Sequence, residues 1–235
     1  MATFPLTTDF LKALELAHTW HHGQYRKGTN EGTEPGVPYL SHLLGVASIA
    51  LEFGATEPEA IAALLHDALE DGPTYTKREA SVLRTEIVTA FGARGEQIAL
   101  LVDAATDDAP RAGEQKRDWG QRKLEYLVKL PREEASALLV SASDKLHNAR
   151  AILSDLMVIG PAVFTRFNKG RDGTLQYYRL LADTYQRIAV AEVRARPRLQ
   201  ALFAELERTV VILETACGLT AEEVRAFPLL AVARD

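Results

Sequence analysis

Apolar residues recur at spacings of three and four along almost the whole chain, the period of a helix with one face turned inward. Thr8 and Asp9 open the first such run, in which Phe10, Leu11, Leu14 and Ala17 mark a helix reaching about His22, where Gly23 ends it. Pro38 opens a second through Leu40, Leu43, Leu44, Ala47 and Leu51, stopped by Gly54. Between them, residues 28–37 (GTNEGTEPGV) read as a loop, because Gly, Pro and turn formers leave no apolar stripe. Thr56 caps a third helix expected over 57–71, with Ile61, Leu64, Leu65 and Leu69 along it and Gly72-Pro73 closing it. Further helices are predicted near 77–91, 95–105, 114–129, 132–153, 171–194 and 197–216, with a short one near 220–226. The acidic stretch 106–113, which contains Pro110, reads as a loop. Thr209-Val-Val-Ile is β-branched but continues the stripe of Leu202, Leu206 and Leu213, so it stays helical. No segment alternates with period two for long enough to make a strand, and the fold class is all-α.

Composition narrows the picture. The 235 residues are 47% hydrophobic and 25% charged, enough to bury a sizeable core and too apolar for a disordered chain. They are read as a single helical-bundle domain over 1–235, with the chemistry in a core of about 10–155 and C-terminal helices at about 171–235. Lys and Arg total 27 against 32 Asp and Glu, a net charge of −5. That balance excludes the general basic field of a nucleic-acid polymer binder, while a local cationic pocket stays possible. The lone Cys217 has no internal disulfide partner and fits a reducing compartment. Met1 to Phe10 lacks a basic segment followed by an apolar one, so no signal peptide is expected. No apolar run approaches the roughly 18 residues that span a bilayer. A cytoplasmic protein without membrane attachment is the expectation, and Leu199 to Leu213 could offer a helical face to a second copy.

The candidate chemistry begins on the expected helix 57–71. At about 100° per residue, His66, Asp67, Glu70 and Asp71 share one side of an otherwise greasy helix. Two readings stand: a solvated helix end with a satisfied core histidine, or a metal site. Burying carboxylates beside an imidazole costs several kcal/mol unless a cation compensates. Acidic groups at a helix C-terminus also have the wrong sign for the macrodipole. Two other segments bear on the choice. Pro38-Tyr39-Leu40-Ser41-His42 puts an imidazole one turn into a core-type helix. Ser143 to Arg150 (SDKLHNAR) places Asp144 and Asn148 four apart after the apolar run 137–140. Two His and two carboxylates from three helices make a mixed N/O set suited to Mn²⁺, Fe²⁺ or Zn²⁺, with room for a water.

Together, His42, the adjacent His66-Asp67 and the distant Asp144 resemble the H…HD…D signature of HD-domain phosphohydrolases. The likeness runs further: His21 to Lys27 (HHGQYRK), Pro38 to His42 (PYLSH), Leu64 to Asp71 (LLHDALED) and Asp144 to Arg150 (DKLHNAR) are similar to the ordered motifs of the RelA/SpoT-type alarmone hydrolase domain. The resemblance covers about residues 10–155 and implies a single HD-domain helical bundle. It implies Mn²⁺ held by His42, His66, Asp67 and Asp144. Glu70 and Asp71 then match the catalytic pair that positions or deprotonates the attacking water. The implied reaction is hydrolysis of the 3′-diphosphate of (p)ppGpp or a related alarmone, giving pyrophosphate and a nucleoside 5′-di- or triphosphate. Arg26 and Lys27 match positions beside the nucleotide base, and Asn148 a position that contacts the nucleoside. Lys145 and Arg150 are assigned to phosphate on their charge alone.

Some positions depart from the family. The loop 28–37 is longer than the usual connection, Leu43 stands where Pro is common after the first ligand His, and Val102 to Asp107 lacks a Gly and a Lys. None removes a ligand. The rival enzyme reading is an HD phosphomonoesterase acting on another nucleotide, and the rival from another class is a nucleotide-binding HD protein without turnover. His18 and His21 read as packing, capping or surface residues, His147 as a neighbour of the ligands rather than one of them, and Cys217 as a lone buried thiol. Tyr177 and Tyr178 fall where related hydrolases have an aromatic near the nucleotide, but aromatics at helical spacing are usually core and that reading is preferred.

Overall fold

A computed structural model of the chain describes residues 6–30, 35–106, 118–228 and 230. Helices carry the described residues: α1 (Thr8–Trp20), α2 (Leu40–Glu52), α3 (Glu57–Leu65), α4 (Gly72–Thr76), α5 (Ala80–Ala90), α6 (Gly95–Ala105), α7 (Trp119–Lys129), α8 (Ala135–Ile159), α9 (Gly170–Arg187), α10 (Ala191–Arg194), α11 (Pro197–Ala216) and α12 (Ala221–Arg225). No strand occurs among them, and β-type pairing amounts to a single bridge between Tyr25 and Pro38. The all-α expectation holds. The middle of the 28–37 loop, most of 106–113 and the start of the helix expected from 114 lie outside the described residues.

Residues 1–117 with 134–144 form one compact unit, and residues 118–133 with 145–235 a second. In the first unit α3 is the central element, with Ala60 to Leu65 fully buried. A helix apolar on every side has no solvent face to spare and must be enclosed. α1, α2 and α6 enclose it, and Ala137 and Val140 of α8 join the same core. Burial of Ile61, Leu64 and Leu65 contributes roughly 1.5–3 kcal/mol each. Thr56 starts the helix as expected: Glu59 Oε2 accepts its backbone N–H at 2.7 Å and its hydroxyl at 2.9 Å.

The boundaries differ where local groups compete with the periodicity. The helix expected over 57–71 ends at Leu65. Gly72-Pro73, expected to close it, instead opens the short α4, where proline's missing N–H costs nothing. α8 runs beyond 153 to Ile159 because Ala149, Ile152 and Leu156 continue a buried stripe, and Gly160 at φ +64° then stops it. The segment expected as one helix over 171–194 breaks at Ile188, whose extended backbone lets both Ile188 and Val193 be buried.

α11 packs on α9 within the second unit, where the rings of Tyr185 and Phe203 meet at 4.8 Å. Leu199, Leu202, Leu206, Val210 and Leu213 are all buried there. That stripe is packed into the chain's own core, while Val211 and Ile212 of the same span remain exposed.

Where α5 and α6 cross, Gly95 is required by space. A Cβ on it would stand 2.0 Å from the Val88 carbonyl oxygen, which is backbone and cannot rotate away. Gly95→Ala is expected to cost at least about 1–3 kcal/mol, the usual range for overpacking. A urea titration followed by circular dichroism reads it; an unchanged midpoint would show that the two helices separate freely.

Candidate metal centre

Three pieces of the first unit meet at one point. His42 sits near the start of α2, His66 and Asp67 open the turn that follows α3, and Asp144 lies on α8. His42 and His66 are 1% and 2% exposed, so their ring nitrogens have lost water as a partner. His66 Nε2 stands 3.0 Å from Asp67 Oδ2 and 3.5 Å from Asp144 Oδ1. His42 Nε2 stands 3.3 Å from Asp144 Oδ1 and 3.6 Å from Asp67 Oδ2. Donors each about 2.0–2.2 Å from one ion lie roughly 2.8–3.6 Å apart in octahedral or tetrahedral arrangement. The observed spacings match that range.

The protonation pattern points the same way. His66 Nδ1–H donates to the Ala63 carbonyl at 2.9 Å, which leaves the lone pair on Nε2. That Nε2 is buried and makes no hydrogen bond, although carboxylate oxygens face it. Lone pairs facing one another out of water need a cation between them, a proton or a metal. Burial alone would depress the His66 imidazole, yet the charges of Asp67 and Asp144 outweigh it and hold His66 well above the usual histidine range. Asp67 shows the counterpart: burial pushes its carboxyl up, and His66 and His42 pull it well below the usual carboxylate range. The residues fit a divalent ion.

The helix-face argument for His66, Asp67, Glu70 and Asp71 needs correction. Residues 66–71 are consecutive turns. The Ala63 carbonyl, which a continuing helix would offer to Asp67 N–H, is taken by the His66 ring. The backbone resumes with Ala68 N–H to Leu65 and Asp71 N–H to Asp67. Asp67 and the half-buried Glu70 and Asp71 are thus presented by a bend, which frees them from helical spacing.

Groups around the cluster hold its carboxylates. The Tyr39 hydroxyl donates to Asp67 Oδ2, and its ring meets His42 edge-on at 5.3 Å. Burial, then the Asp67 and Asp71 charges, push the Tyr39 phenol well above its usual value, so it stays a donor. His21 stacks on Tyr39 at 5.4 Å, and Gln24 Nε2–H donates to Asp71 Oδ2 at 2.8 Å. Residue patterns assign no role to Tyr39 or Gln24 and leave His21 to packing or capping. The available signal was that all three fall inside short ordered motifs, Tyr39 in the one that carries His42, and His21 and Gln24 in the one that carries Arg26 and Lys27.

The remaining predicted residues divide between the units. Arg26 belongs to the first, its guanidinium 5.7 Å from the Tyr39 ring centre, and Lys27 is exposed beside it in the chain. Lys145, Asn148 and Arg150 belong to the second. There Lys145 is buried with its ammonium 5.0 Å from the Tyr126 ring, and Arg150 pairs with Glu205 at 3.3 Å. Tyr177 and Tyr178 are buried against each other, and Tyr177 also meets Trp119, as their core reading expected.

A model of the HD domain family matches residues 13–174, and the chain belongs to that family. Among curated relatives, a Streptomyces antibioticus GTP pyrophosphokinase is 34% identical over 143 residues, 60% of this chain and 14% of that protein. An Aquifex aeolicus guanosine-3′,5′-bis(diphosphate) 3′-pyrophosphohydrolase is 32% identical over 144 residues, 61% of this chain and 18% of that protein. The chain thus spans less than a fifth of the length of these relatives. Among solved structures, a metazoan ortholog of SpoT, described as hydrolysing ppGpp, aligns with 87% of this chain and 98% of its own at 24% identity and a TM-score of 0.57. A Listeria monocytogenes protein aligns with 73% of this chain and 97% of its own at 25% identity and a TM-score of 0.58. No helix among the described residues is long and apolar enough to cross a membrane.

Proposed function

We propose that the protein is a metal-dependent phosphohydrolase that removes the 3′-diphosphate of (p)ppGpp or a related alarmone. The observation that carries it is the cluster of His42, His66 and Asp67, with Asp144 Oδ1 3.3 and 3.5 Å from the two imidazoles and Glu70 and Asp71 in the turn that presents Asp67. The relatives named as 3′-pyrophosphohydrolases support the substrate. The pyrophosphokinase name belongs to a protein of which the match covers 14%. The same proposal takes Mn²⁺ as the resident ion, with Fe²⁺ and Zn²⁺ compatible with this N/O set. It takes residues 1–235 as one hydrolase domain, the cytoplasm as its location and the stringent response as its setting.

His42, His66, Asp67 and Asp144 hold the ion, which when bound acidifies water and neutralises phosphate charge. Tyr39 keeps Asp67 turned toward His42 and His66. Glu70 and Asp71 orient the attacking water and accept its proton as oxygen bonds to the phosphorus on the 3′-oxygen. The O3′–P bond breaks, giving the ribose hydroxyl and pyrophosphate. Arg26 and Lys27 address the base, Asn148 the nucleoside, and Lys145 and Arg150 the phosphates.

Glu70→Gln keeps the shape of the turn and removes a base. Metal content per chain is expected to stay at the wild-type value while turnover falls at least about 10²-fold, the scale of general-base loss. Wild-type rates in the metal-loaded variant would remove Glu70 from the mechanism. The substrate is tested by ion-exchange product analysis of Mn²⁺-loaded protein with ppGpp, ppApp and ordinary nucleotides, against an EDTA control. Metal-dependent pyrophosphate release is expected. Orthophosphate alone, from a nucleoside monophosphate, would make the protein a phosphomonoesterase, and no turnover with metal bound would make it a binding protein.

A further inference from the structure

Beside the metal cluster two buried polar side chains that the proposed mechanism does not use, His21 and Gln24, lead to Asp71. His21 Nδ1 and Gln24 Oε1 are 2.7 Å apart, and Gln24 Nε2 is 2.8 Å from Asp71 Oδ2. His21 and Gln24 are 4% and 7% exposed, so water does not compete for these bonds. Only one arrangement of hydrogens satisfies both. An ionised Asp71 accepts only, so the Gln24 amide must present its NH₂ to it and its oxygen to His21, which then donates from Nδ1. Burial lowers the His21 pKa despite the nearby carboxylates Asp67 and Asp71, which keeps the ring neutral. The backbone fixes where the amide starts: Gln24 N–H donates to the His21 carbonyl at 3.0 Å, and the Gln24 carbonyl accepts Tyr39 N–H at 2.9 Å. The Tyr25–Pro38 bridge locks the next residue.

We propose that Gln24 is a positioning residue for hydrolysis, with His21 as its support: the amide holds Oδ2 of Asp71 and so sets the plane in which this carboxylate meets the attacking water. A carboxylate on a bend otherwise rotates about Cβ–Cγ and presents either oxygen. Fixing one removes that freedom before substrate arrives, which is where preorganisation contributes to rate. The inference rests on the hydrolase reading and on Asp71 as a member of its acidic pair.

Gln24→Leu keeps the bulk and removes both hydrogen bonds. With Mn²⁺-loaded full chain, kcat is expected to fall about 10-fold or more while KM and bound metal stay within twofold. Gln24→Glu retains one acceptor for His21 but opposes a second carboxylate to Asp71, and should move the acid limb of the pH profile upward. ¹⁵N NMR of wild-type histidines should show His21 as the neutral Nδ1–H tautomer, and Gln24→Leu should abolish that preference. A kcat within twofold of wild type in Gln24→Leu, a loss carried only by KM or by metal, or an Nε2–H tautomer at His21 each overturns the proposal. Kinetics are read with ppGpp and with bis(p-nitrophenyl) phosphate. Turnover of the latter alone, with the same kcat split, would sink the alarmone reading and support the positioning role.

Discussion

Alanine at His66 or Asp67 is expected to strip the protein of its metal and to lower hydrolysis by at least about 10³-fold, since metal charge stabilisation is worth several kcal/mol and each 1.4 kcal/mol is tenfold. His66→Ala removes an imidazole whose Nε2 lies 3.0–3.5 Å from two carboxylates. It leaves Asp67 and Asp144 facing His42 with one donor fewer. Asp67→Ala removes the oxygen nearest His66 and also the acceptor of the Tyr39 hydroxyl. Metal content after gel filtration and pyrophosphate release should fall together. Asp144→Asn provides a check against simple unfolding, because it retains shape and one oxygen donor while giving up charge. Its helicity should match wild type and its metal affinity should drop. Full activity in a metal-free His66→Ala protein would overturn the metal centre. Retained metal in both alanine variants would place the ion elsewhere.

The sequence revealed this site unevenly, and the reason is physical. His42, His66, Asp67 and Asp144 could be grouped because their motifs are short, ordered and chemically unusual on apolar helices. The geometry presenting Asp67, Glu70 and Asp71 could not be read, because apolar periodicity through Leu69 mimics a continuing helix. One local competitor, the His66 ring on the Ala63 carbonyl, ends α3 at Leu65. Periodicity reports which residues are buried and is blind to a side chain that takes a backbone acceptor. Tyr39 and Gln24 escaped for another reason. Their partners Asp67 and Asp71 lie 28 and 47 residues away, and a hydroxyl or an amide has no signature until the fold brings a carboxylate to it. In the second unit Arg179 on α9 is fully buried, and a lone arginine in a helical stripe carries no mark of that until its carboxylate partners are brought to it.

Arg179→Leu is expected to cost about 3–5 kcal/mol, the scale for removing one partner from a buried ion pair. The Arg179 guanidinium makes a two-pronged contact with Glu214, 2.8 Å from Nε to Oε1 and 2.8 Å from Nη2 to Oε2. Its Nη1 donates to Glu207 at 2.8 and 3.0 Å and reaches Asp183 at 3.4 Å. Burial works against the charge, but Glu214 and Glu207 hold the guanidinium protonated above its ordinary value. Without it, Glu214 at 1% exposure is left as a carboxylate with neither water nor cation. Asp183 keeps Arg225, whose Nε and Nη2 each donate to it at 2.7 Å. Asp183 also fixes the sign of the pH dependence. Burial pushes its carboxyl up, while Arg225 and Arg179 pull it below its usual value. Its stabilising share is therefore present above about pH 4 and is lost as pH falls through the native value. Arg179→Leu should lose part of that share and show a shallower acid limb. Urea midpoints at pH 7 and at about pH 2.5, below the ordinary carboxylate value, measure both effects, and Arg179→Leu with Glu214→Leu should recover much of the loss, because the buried charge goes with its partner. A single variant within 0.5 kcal/mol of wild type, on the order of an ordinary surface change, would mean that water reaches Glu214 and that the network is not closed.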